Sequence, residues 1–372
     1  MAGRSVQELL SPEVILREVS RVQLPGTTLS DLFGWGLQAR DPDKQDGNTI
    51  DYELREGSYD VMNRSRKIAT ATVPGTANSN IKPQKVGRVR FIIPRMAEQI
   101  PLTHEDLVNR RQVGQAVTVV DSMGENYLMR QKRYLAERAG NMIEFQTAAM
   151  MRGSYTFDQN GEELRHGFSG GEDTVDFQIP ANNKNQLNGI IGASWATAST
   201  DIPGDYMQIN QACNDATGLG IEHSVMNSNT LQYLMNNTNI KAQAGTAQTP
   251  FQSYERSGPG RFSLVFRAIP YLQIHVVDYS LEVWDGSAET DTRLIADDQV
   301  CSFPTPDPSW CQYMNGGEVV TEGPNGVMAF RQGYYAYGYA SWNPSGWNLC
   351  HNHNGIPNLY IPAAVFNADV TP

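Results

Sequence analysis

The chain has 372 residues, 40% of them hydrophobic and 19% charged, with a mean hydropathy of −0.44. This composition supports one large domain or two to three smaller ones and excludes a wholly disordered chain. The net charge of −11 and isoelectric point near 5.1 argue against a general nucleic-acid coat, which would carry a basic excess. Four cysteines are too few for a disulfide scaffold, and no apolar run predicts a signal peptide or a membrane span. We therefore expect a reduced, soluble protein that is made inside the cell.

The charge is unevenly distributed along the chain. Residues 1–150 carry 20 basic and 18 acidic side chains, whereas residues 151–372 carry 9 basic and 22 acidic ones. Residues 55–95 alone hold nine basic and two acidic side chains, a net charge of +7. Because opposite potentials steer association, this pattern favours a protein that binds copies of itself. The alternative is that the basic segment is simply solvated.

The N-terminal third predicts a short helix followed by a long hairpin. Ser11 and Pro12 are suited to start a helix over about residues 11–24, and a polar turn follows at 41–47. Residues 49–66 and 86–93 then predict two strands joined by a small, turn-rich tip. A hairpin with so few apolar residues is only marginally stable alone, so we expect it to lie on something outside itself.

The longest helical signal covers residues 103–152. Thr103 predicts the helix start, with a bend near Gly114 and Gly124. From Glu125, apolar residues recur every seven positions, and Gly153 ends a helix of roughly 28 residues, or about 40 Å. The recurring apolar residues are Leu128, Leu135, Met142 and Ala149, and the charged residues predicted on the other faces are Arg130, Lys132, Arg133, Glu137, Arg138 and Glu144.

The rest of the chain predicts a mixture of strands and helices. Alternating residues at 155–157 and 175–179 indicate a small sheet, residues 205–238 one or two helices, and 264–266 and 274–277 buried strands. The tail is rich in aromatic residues, and the alternation of Tyr335, Tyr337 and Tyr339 places their rings on one face of a strand. Such rings pack a sheet against the body or line a ligand groove.

No motif predicts an enzyme. Residues 167–171 match the pattern G-x-S-x-G, but their flanks do not predict the strand and helix that a nucleophile elbow requires. No phosphate-binding loop or dinucleotide fingerprint is present. A zinc site is the remaining possibility, but the spacing of its candidate ligands fits no common structural site. Those candidates are Cys301, Cys311, Cys350, His351 and His353. We expect no catalytic residue, no metal and no cofactor.

The order of these parts resembles a tailed-bacteriophage major capsid protein of the Hong Kong 97 type, in detail the lambda major head protein (capsid protein E) family. Residues 80–86 resemble the family's Lys-Pro-containing return into the hairpin, and 137–156 the end of its long spine helix at a Gly-x-Tyr-Thr turn. Residues 343–347 and 356–362 resemble its C-terminal segment. The resemblance implies an α+β fold with an N-terminal arm, an extended β-hairpin loop, a spine helix with a peripheral sheet, and an axial α/β domain.

The resemblance also implies domain limits. The expected parts are an N-terminal arm (1–45), the extended loop (46–100), a peripheral domain with the spine helix (101–190, with returning strands at about 318–348) and an axial domain (191–317, with a C-terminal segment at about 349–372). The loop would lie over a neighbouring subunit, and the acidic body would receive it. The expected inter-subunit residues are Arg64, Arg66, Lys67, Lys82, Lys85, Arg88 and Arg90.

The implied function is structural. The family implies a self-assembling major head protein that forms the pentamers and hexamers of an icosahedral capsid around double-stranded DNA. Expected partners are other copies of the chain, a scaffold supplied by another chain, a portal and a decoration protein. Packaged DNA would be met only by non-specific proximity, and no membrane is involved. Assembly in the host cytoplasm would precede residence in the virion.

Two alternatives remain open at this stage. Some relatives cross-link their loops covalently, and Lys67, Lys82 or Lys85 would be the candidates, although no partner Asn or catalytic carboxylate is identified. The competing reading of the whole chain is a soluble α/β ligand-binding protein or enzyme with an aromatic-lined groove.

Overall fold

Two six-stranded sheets and one long helix organise the chain in a computed structural model. The predicted helix at 11–24, the tip of the predicted hairpin and the G-x-S-x-G motif lie outside the residues that the structure describes. The described residues are 29–35, 48–53, 56–61, 87–103, 122–158, 172–184, 190–243, 250–258, 261–284, 289–322, 327–342 and 345–371.

The long helix is α2, which spans Ser122–Arg152, 31 residues or about 46 Å. Leu128, Leu135 and Ala149 are buried, so the seven-residue periodicity is confirmed. The helix ends at Gly153, whose φ of 99° is the left-handed conformation that glycine adopts without strain.

Three sequence expectations for this region are wrong. Thr103 does not start a helix, because it ends strand β4 (Arg95–Thr103), which is paired along its whole length with β17 (Ser345–Leu359). Lys132 and Glu144 do not lie on a solvent face, since their exposed fractions are 2% and 0%.

The first sheet surrounds β17, the longest strand. Its order is β1-β14-β17-β16, with β15 added to β14 and β4 added to β17. Helix α2 packs on β17, where the Gln146 side chain donates a hydrogen bond to the carbonyl of Gly355 at 2.9 Å. The remaining strands are β1 (Thr49–Tyr52), β14 (Cys311–Glu322), β15 (Val327–Gln332) and β16 (Tyr334–Trp342).

The predicted outgoing limb at 49–66 is not one strand. Strand β1 pairs in parallel with β14 of the first sheet, whereas β2 (Glu56–Val61) pairs antiparallel with β3 (Gly87–Ile92) in a separate two-stranded ribbon. The predicted pairing of the two limbs is therefore confirmed only for this ribbon. The start of the limb joins the main sheet because a partner more than 260 residues away offers it a strand edge.

The second sheet has the order β18-β13-β7-β10-β9-β8 and carries three helices. Residues 205–238 do contain two helices, but a strand missed by sequence reasoning, β7, separates them. The predicted strands at 264–266 and 274–277 are confirmed within β9 and β10. The elements are α3 (Ile202–Thr217), β7 (His223–Met226), α4 (Ser228–Asn236), α5 (Thr238–Gln243), β8 (Phe251–Gly258), β9 (Arg261–Phe266), β10 (Gln273–Val277), β13 (Gln299–Phe303) and β18 (Phe366–Asp369).

Each sheet has its own hydrophobic core. The core under the first sheet includes buried residues of α2 and of the short helix α1 (Leu29–Phe33), and the other core lies between the second sheet and its helices. The predicted small sheet is confirmed as β5 (Ser154–Asp158) paired with β6 (Glu172–Asp176), and β11 (Ser280–Trp284) pairs with β12 (Glu289–Arg293). Among the described helices, none has the length and apolar character needed to cross a bilayer.

Candidate functional site

The ribbon of β2 and β3 is the described base of the basic segment. Asp60 lies directly opposite Arg88, and Ser58 opposite Arg90. The Arg88 Nε lies 3.1 Å from Asp60 Oδ1, with 71% and 54% of the two side chains exposed. An ion pair this exposed contributes under about 1 kcal/mol, so Arg88 remains available to a partner. Five other predicted contact residues lie outside the described residues: Arg64, Arg66, Lys67, Lys82 and Lys85.

Aromatic rings fix this base to the body. The ring of Phe91 is buried and lies 5.2 Å from the Tyr52 ring and 5.9 Å from the Tyr59 ring, between centroids. It crosses over Gly57, where an added Cβ would lie 2.6 Å from it, so glycine is required there. Tyr59 also meets Tyr360 at 5.6 Å, and burial raises the pKa of its phenol well above the usual value. The ribbon is thus held by packing rather than by charge.

The chain leaving the ribbon is fixed by a partly buried ion pair. Arg95, at the start of β4, lies 2.6 Å from the Glu318 carboxylate on β14. The Tyr335 hydroxyl and the Asn354 amide donate hydrogen bonds to the same carboxylate at 3.0 and 3.1 Å. Burial alone would raise the pKa of Glu318, but the Asn354 hydrogen bond and the Arg95 charge lower it below the usual range. The carboxylate therefore stays ionised and ties three strands together.

A second ionic cluster joins β4 to α2. Glu98 accepts hydrogen bonds from Arg138 Nε at 2.8 and 2.9 Å and from Arg138 Nη2 at 2.5 Å. Its other contact is His351 Nε2 at 3.0 Å, on the directly opposed position of β17. Burial acts to raise the pKa of Glu98, but the hydrogen bonds from His351 and Arg138 lower it to about 2. Strand β4, helix α2 and strand β17 thus meet at one carboxylate.

Sequence reasoning missed these two clusters. Arg95 was counted only as part of the basic segment, and Arg138 only as a charge on an outer helix face. Their partners Glu98, Glu318 and His351 are distant in sequence, and no local spacing signals the contacts. A pairing of β4 with β17 would have been needed to find them.

The zinc candidates do not converge. All four cysteines are buried and unpaired, and burial raises the pKa of both Cys301 and Cys350 to about 12. His351 contacts Glu98, while His353 Nε2 lies 2.7 Å from the Tyr313 hydroxyl. Among the residues that the structure places, no group of three His, Cys, Asp or Glu side chains is positioned to hold a metal ion.

The aromatic strip on β16 is confirmed as one face of a strand. The rings of Tyr335 and Tyr337 stack at 6.0 Å, and those of Tyr337 and Tyr339 at 6.3 Å, between centroids. The Tyr335 hydroxyl is bound to Glu318 and the Tyr339 hydroxyl donates to Gln99 at 3.1 Å, so both phenols serve contacts within the subunit.

Two pockets of about 480 and 610 Å³ lie elsewhere, beside the second sheet and helix α3. Both are lined by Asn210 and Tyr271, and the smaller one also by His223. His223 Nδ1 lies 3.0 Å from His275 Nε2, and burial lowers the pKa of His275 to about 4. The aromatic strip lines neither pocket, so these pockets do not support the aromatic-groove reading.

Known structures identify the class of fold. A capsid protein of a prophage of E. coli CFT073 is 10% identical with a TM-score of 0.57, and all of both chains is covered. A phage-related protein from Bordetella bronchiseptica RB50 is 10% identical with a TM-score of 0.54, covering 97% of each chain. The fold is therefore that of Hong Kong 97-type phage capsid subunits, as the order of elements predicted.

The model of the family phage major capsid protein E matches residues 49–370, and the chain belongs to that family. It is a major capsid protein, a structural subunit that associates with its own copies to form the icosahedral shell of a phage virion. No curated protein matches the chain.

Proposed function

We propose that the basic segment at residues 55–95 is the loop by which each subunit grips its neighbour in the pentamers and hexamers of a shell that encloses double-stranded DNA. The observation that carries this proposal is the segregation of charge, +7 in this segment against −13 in residues 151–372. Opposite potentials attract one subunit's loop to the next subunit's body. The contact residues are Arg64, Arg66, Lys67, Lys82, Lys85, Arg88 and Arg90.

The described base of the segment suits it to bear load. On the ribbon side, the buried Phe91 ring packs against Tyr52 and Tyr59. On the β4 side, Arg95 and Glu98 are held by Glu318 and Arg138. A pull on the segment therefore reaches α2 and the first sheet directly. Each exposed ion pair contributes under about 1 kcal/mol, so shell stability comes from many such contacts repeated around every subunit.

The division into parts is proposed with the same limits as above for the arm (1–45), the loop (46–100), the peripheral domain (101–190) and the axial domain (191–317). The two separate cores support a peripheral and an axial part. In the C-terminal region, β17 lies in the first sheet and β18 in the second. We therefore place the return to the axial part after Leu359.

The partners proposed beyond the chain's own copies are a scaffold protein, a portal and a decoration protein, with packaged DNA met by proximity alone. Assembly takes place in the host cytoplasm, before the finished particle becomes part of the virion. The role of the subunit is structural and involves no catalysis.

The test is electron microscopy and sedimentation of the purified full-length protein, alone and with a scaffold. Wild type forms closed shells or rings of five and six subunits. The triple variant Arg64→Glu, Arg66→Glu, Lys67→Glu remains a folded subunit by circular dichroism but forms no shells, because its loop is repelled by the acidic body. Normal particles from this variant would remove the electrostatic role of the loop, and a monomer under all conditions would contradict the shell itself.

A matched control changes the net charge equally at another place. Arg130, Arg133 and Lys241 are exposed and lie on α2 and α5. The variant Arg130→Glu, Arg133→Glu, Lys241→Glu is expected to assemble as wild type does. Equal loss of assembly in both variants would show that net charge matters and that the loop has no special role.

A further inference from the structure

A buried carboxylate joins the short helix α1 to the long helix α2. Glu144 of α2 has an exposed fraction of 0%. Its Oε2 accepts a hydrogen bond from the Leu29 backbone N–H at 3.0 Å, and its Oε1 accepts from the Ser30 N–H at 2.9 Å and the Ser30 hydroxyl at 2.6 Å. These three contacts span more than 110 positions of sequence and lie at the first two residues of α1.

The surroundings of Glu144 contain no compensating positive charge among the groups that act on it most. Those groups are Leu29, Ser30 and Asp31, and Asp31 is itself an acid. Burial is the largest effect and raises the pKa of Glu144 to about 7; the hydrogen bonds from α1 act in the opposite direction, and Asp31 raises it further.

The other elements packed against α2 carry titratable groups that are engaged elsewhere or lie at the surface. On β17, His351 is bound to Glu98, and His353 to Tyr313. On β18, Asp369 is exposed. Neither strand places a group among those that act most on Glu144.

We propose that Glu144 is a proton-operated latch, which holds α1 and the chain preceding it against α2 while its carboxyl is protonated and loosens when the carboxyl ionises. In the neutral form, Oε1 still accepts both bonds from Ser30. An ionised carboxylate without a cation is poorly tolerated at this burial, whereas in an opened latch water solvates it. The latch operates within one subunit, so it does not depend on how subunits contact one another.

The direction of the pH response follows from linkage. The closed latch has a pKa of about 7, and an opened, solvated Glu144 has the ordinary value of 4.5. The closed state therefore binds the proton more tightly, and opening becomes more favourable as the pH rises from 4.5 to about 7. The opening equilibrium is expected to rise about tenfold per pH unit in that window, by about 300-fold in total, and to level off above it.

The test is hydrogen exchange followed by mass spectrometry on the full-length protein, from about pH 5 to about pH 8, with rates corrected for intrinsic chemical exchange. A peptide covering residues 29–35 reports the latch, and one covering β10 reports the rest of the fold. We expect pH-dependent opening in the first peptide alone. Glu144→Gln removes that dependence, while the control Glu137→Gln, two turns earlier on α2, retains it.

Each other outcome is decisive. A flat profile for the first peptide in wild type, or an unchanged slope in Glu144→Gln, overturns the latch. An equal change in the β10 peptide shows global unfolding instead and also overturns it. If Glu144→Gln does not fold, Ser30→Ala decides: the loss of one donor opens the latch more at every pH and moves the levelling-off to higher pH, and an unchanged profile contradicts the proposal.

Discussion

Helix α2 carries two ionic arrangements of opposite character. Arg138, near its middle, binds Glu98 of β4 together with His351, and this cluster keeps the carboxylate charged. Glu144, less than two turns later, is buried deeper and receives only uncharged donors from Leu29 and Ser30. Hydrogen-bonded cations lower the pKa of one carboxyl, and desolvation raises that of the other. The two groups therefore respond to pH in separate ranges.

Glu98→Gln is expected to lower the free energy of unfolding of the subunit by about 1–2 kcal/mol at about pH 7, because it removes a charge-assisted network. The value stays small because 35% of the Glu98 side chain and 48% of the Arg138 side chain are exposed. Since the folded pKa is lowered, this contribution is present above 4.5 and is lost as the pH falls towards about 2.

Urea unfolding of wild type and variant across that pH range measures this effect. The difference between them should shrink as the solution becomes more acidic. Glu282→Gln, at an exposed position of β11, is the control and should change little. A difference that stays constant down to about pH 2 would show that Glu98 acts through packing alone.

Sequence periodicity predicted which residues of α2 are apolar and buried, but it failed for the polar ones. Lys132 and Glu144 were placed outside because charged residues are seldom buried without partners. The partner that buries Glu144 is α1, which is more than 110 residues away and is held by backbone N–H groups that any sequence would provide. Such a contact leaves no trace in local spacing.

At the scale of elements, the end of α2 depends on the backbone conformation of one residue. Gly153 has a φ of 99°, and its N–H donates to the carbonyls of Ala149 and Met150 at 3.0 Å each. Gly153→Ala is expected to cost about 1–2 kcal/mol, because an L-residue is strained in this conformation. The added Cβ would also displace the Lys184 side chain, whose Cε would lie 2.5 Å away.

Gly192 is a suitable control, since it is exposed and a Cβ added there meets nothing within 4 Å. Thermal unfolding should show a clear loss of stability for Gly153→Ala and little change for Gly192→Ala. Similar melting temperatures for both variants would mean that the turn after α2 adapts and does not set the end of the helix.

Element types were predicted better than their partners. The small sheet of β5 and β6, the strands β9 and β10 and the long helix follow from local patterns. The division of residues 49–66 between two sheets does not, because β1 is placed by β14, from the far end of the chain. Strand β7 was missed because it is only four residues long and lies between two helices.

At the scale of the whole molecule, family membership and charge distribution make different statements. Membership identifies a shell subunit, and the charge distribution supports a particular way for subunits to attract each other. Subunits whose attraction is carried by solvent-exposed charges should be sensitive to salt, because screening acts on exposed pairs more than on buried ones. The ribbon pair of Arg88 and Asp60 is of the exposed kind.

Assembly of the wild-type protein is therefore expected to slow as sodium chloride is raised from about 0.1 M to about 1 M, since the screening length falls from about 10 Å to about 3 Å. Light scattering of purified subunits measures the rate. The stability of the isolated subunit, followed by thermal unfolding in the same salts, should change far less, because its two cores are apolar.

The variant Arg64→Glu, Arg66→Glu, Lys67→Glu provides the opposite sign of the same effect. Its loop is repelled by the acidic body at low salt, so added salt should recover part of its assembly while slowing that of wild type. A wild-type rate that rises steadily with salt would indicate that apolar contacts drive the loop onto its neighbour. In that case the +7 segment serves solubility, and the grip lies in uncharged side chains of the same loop.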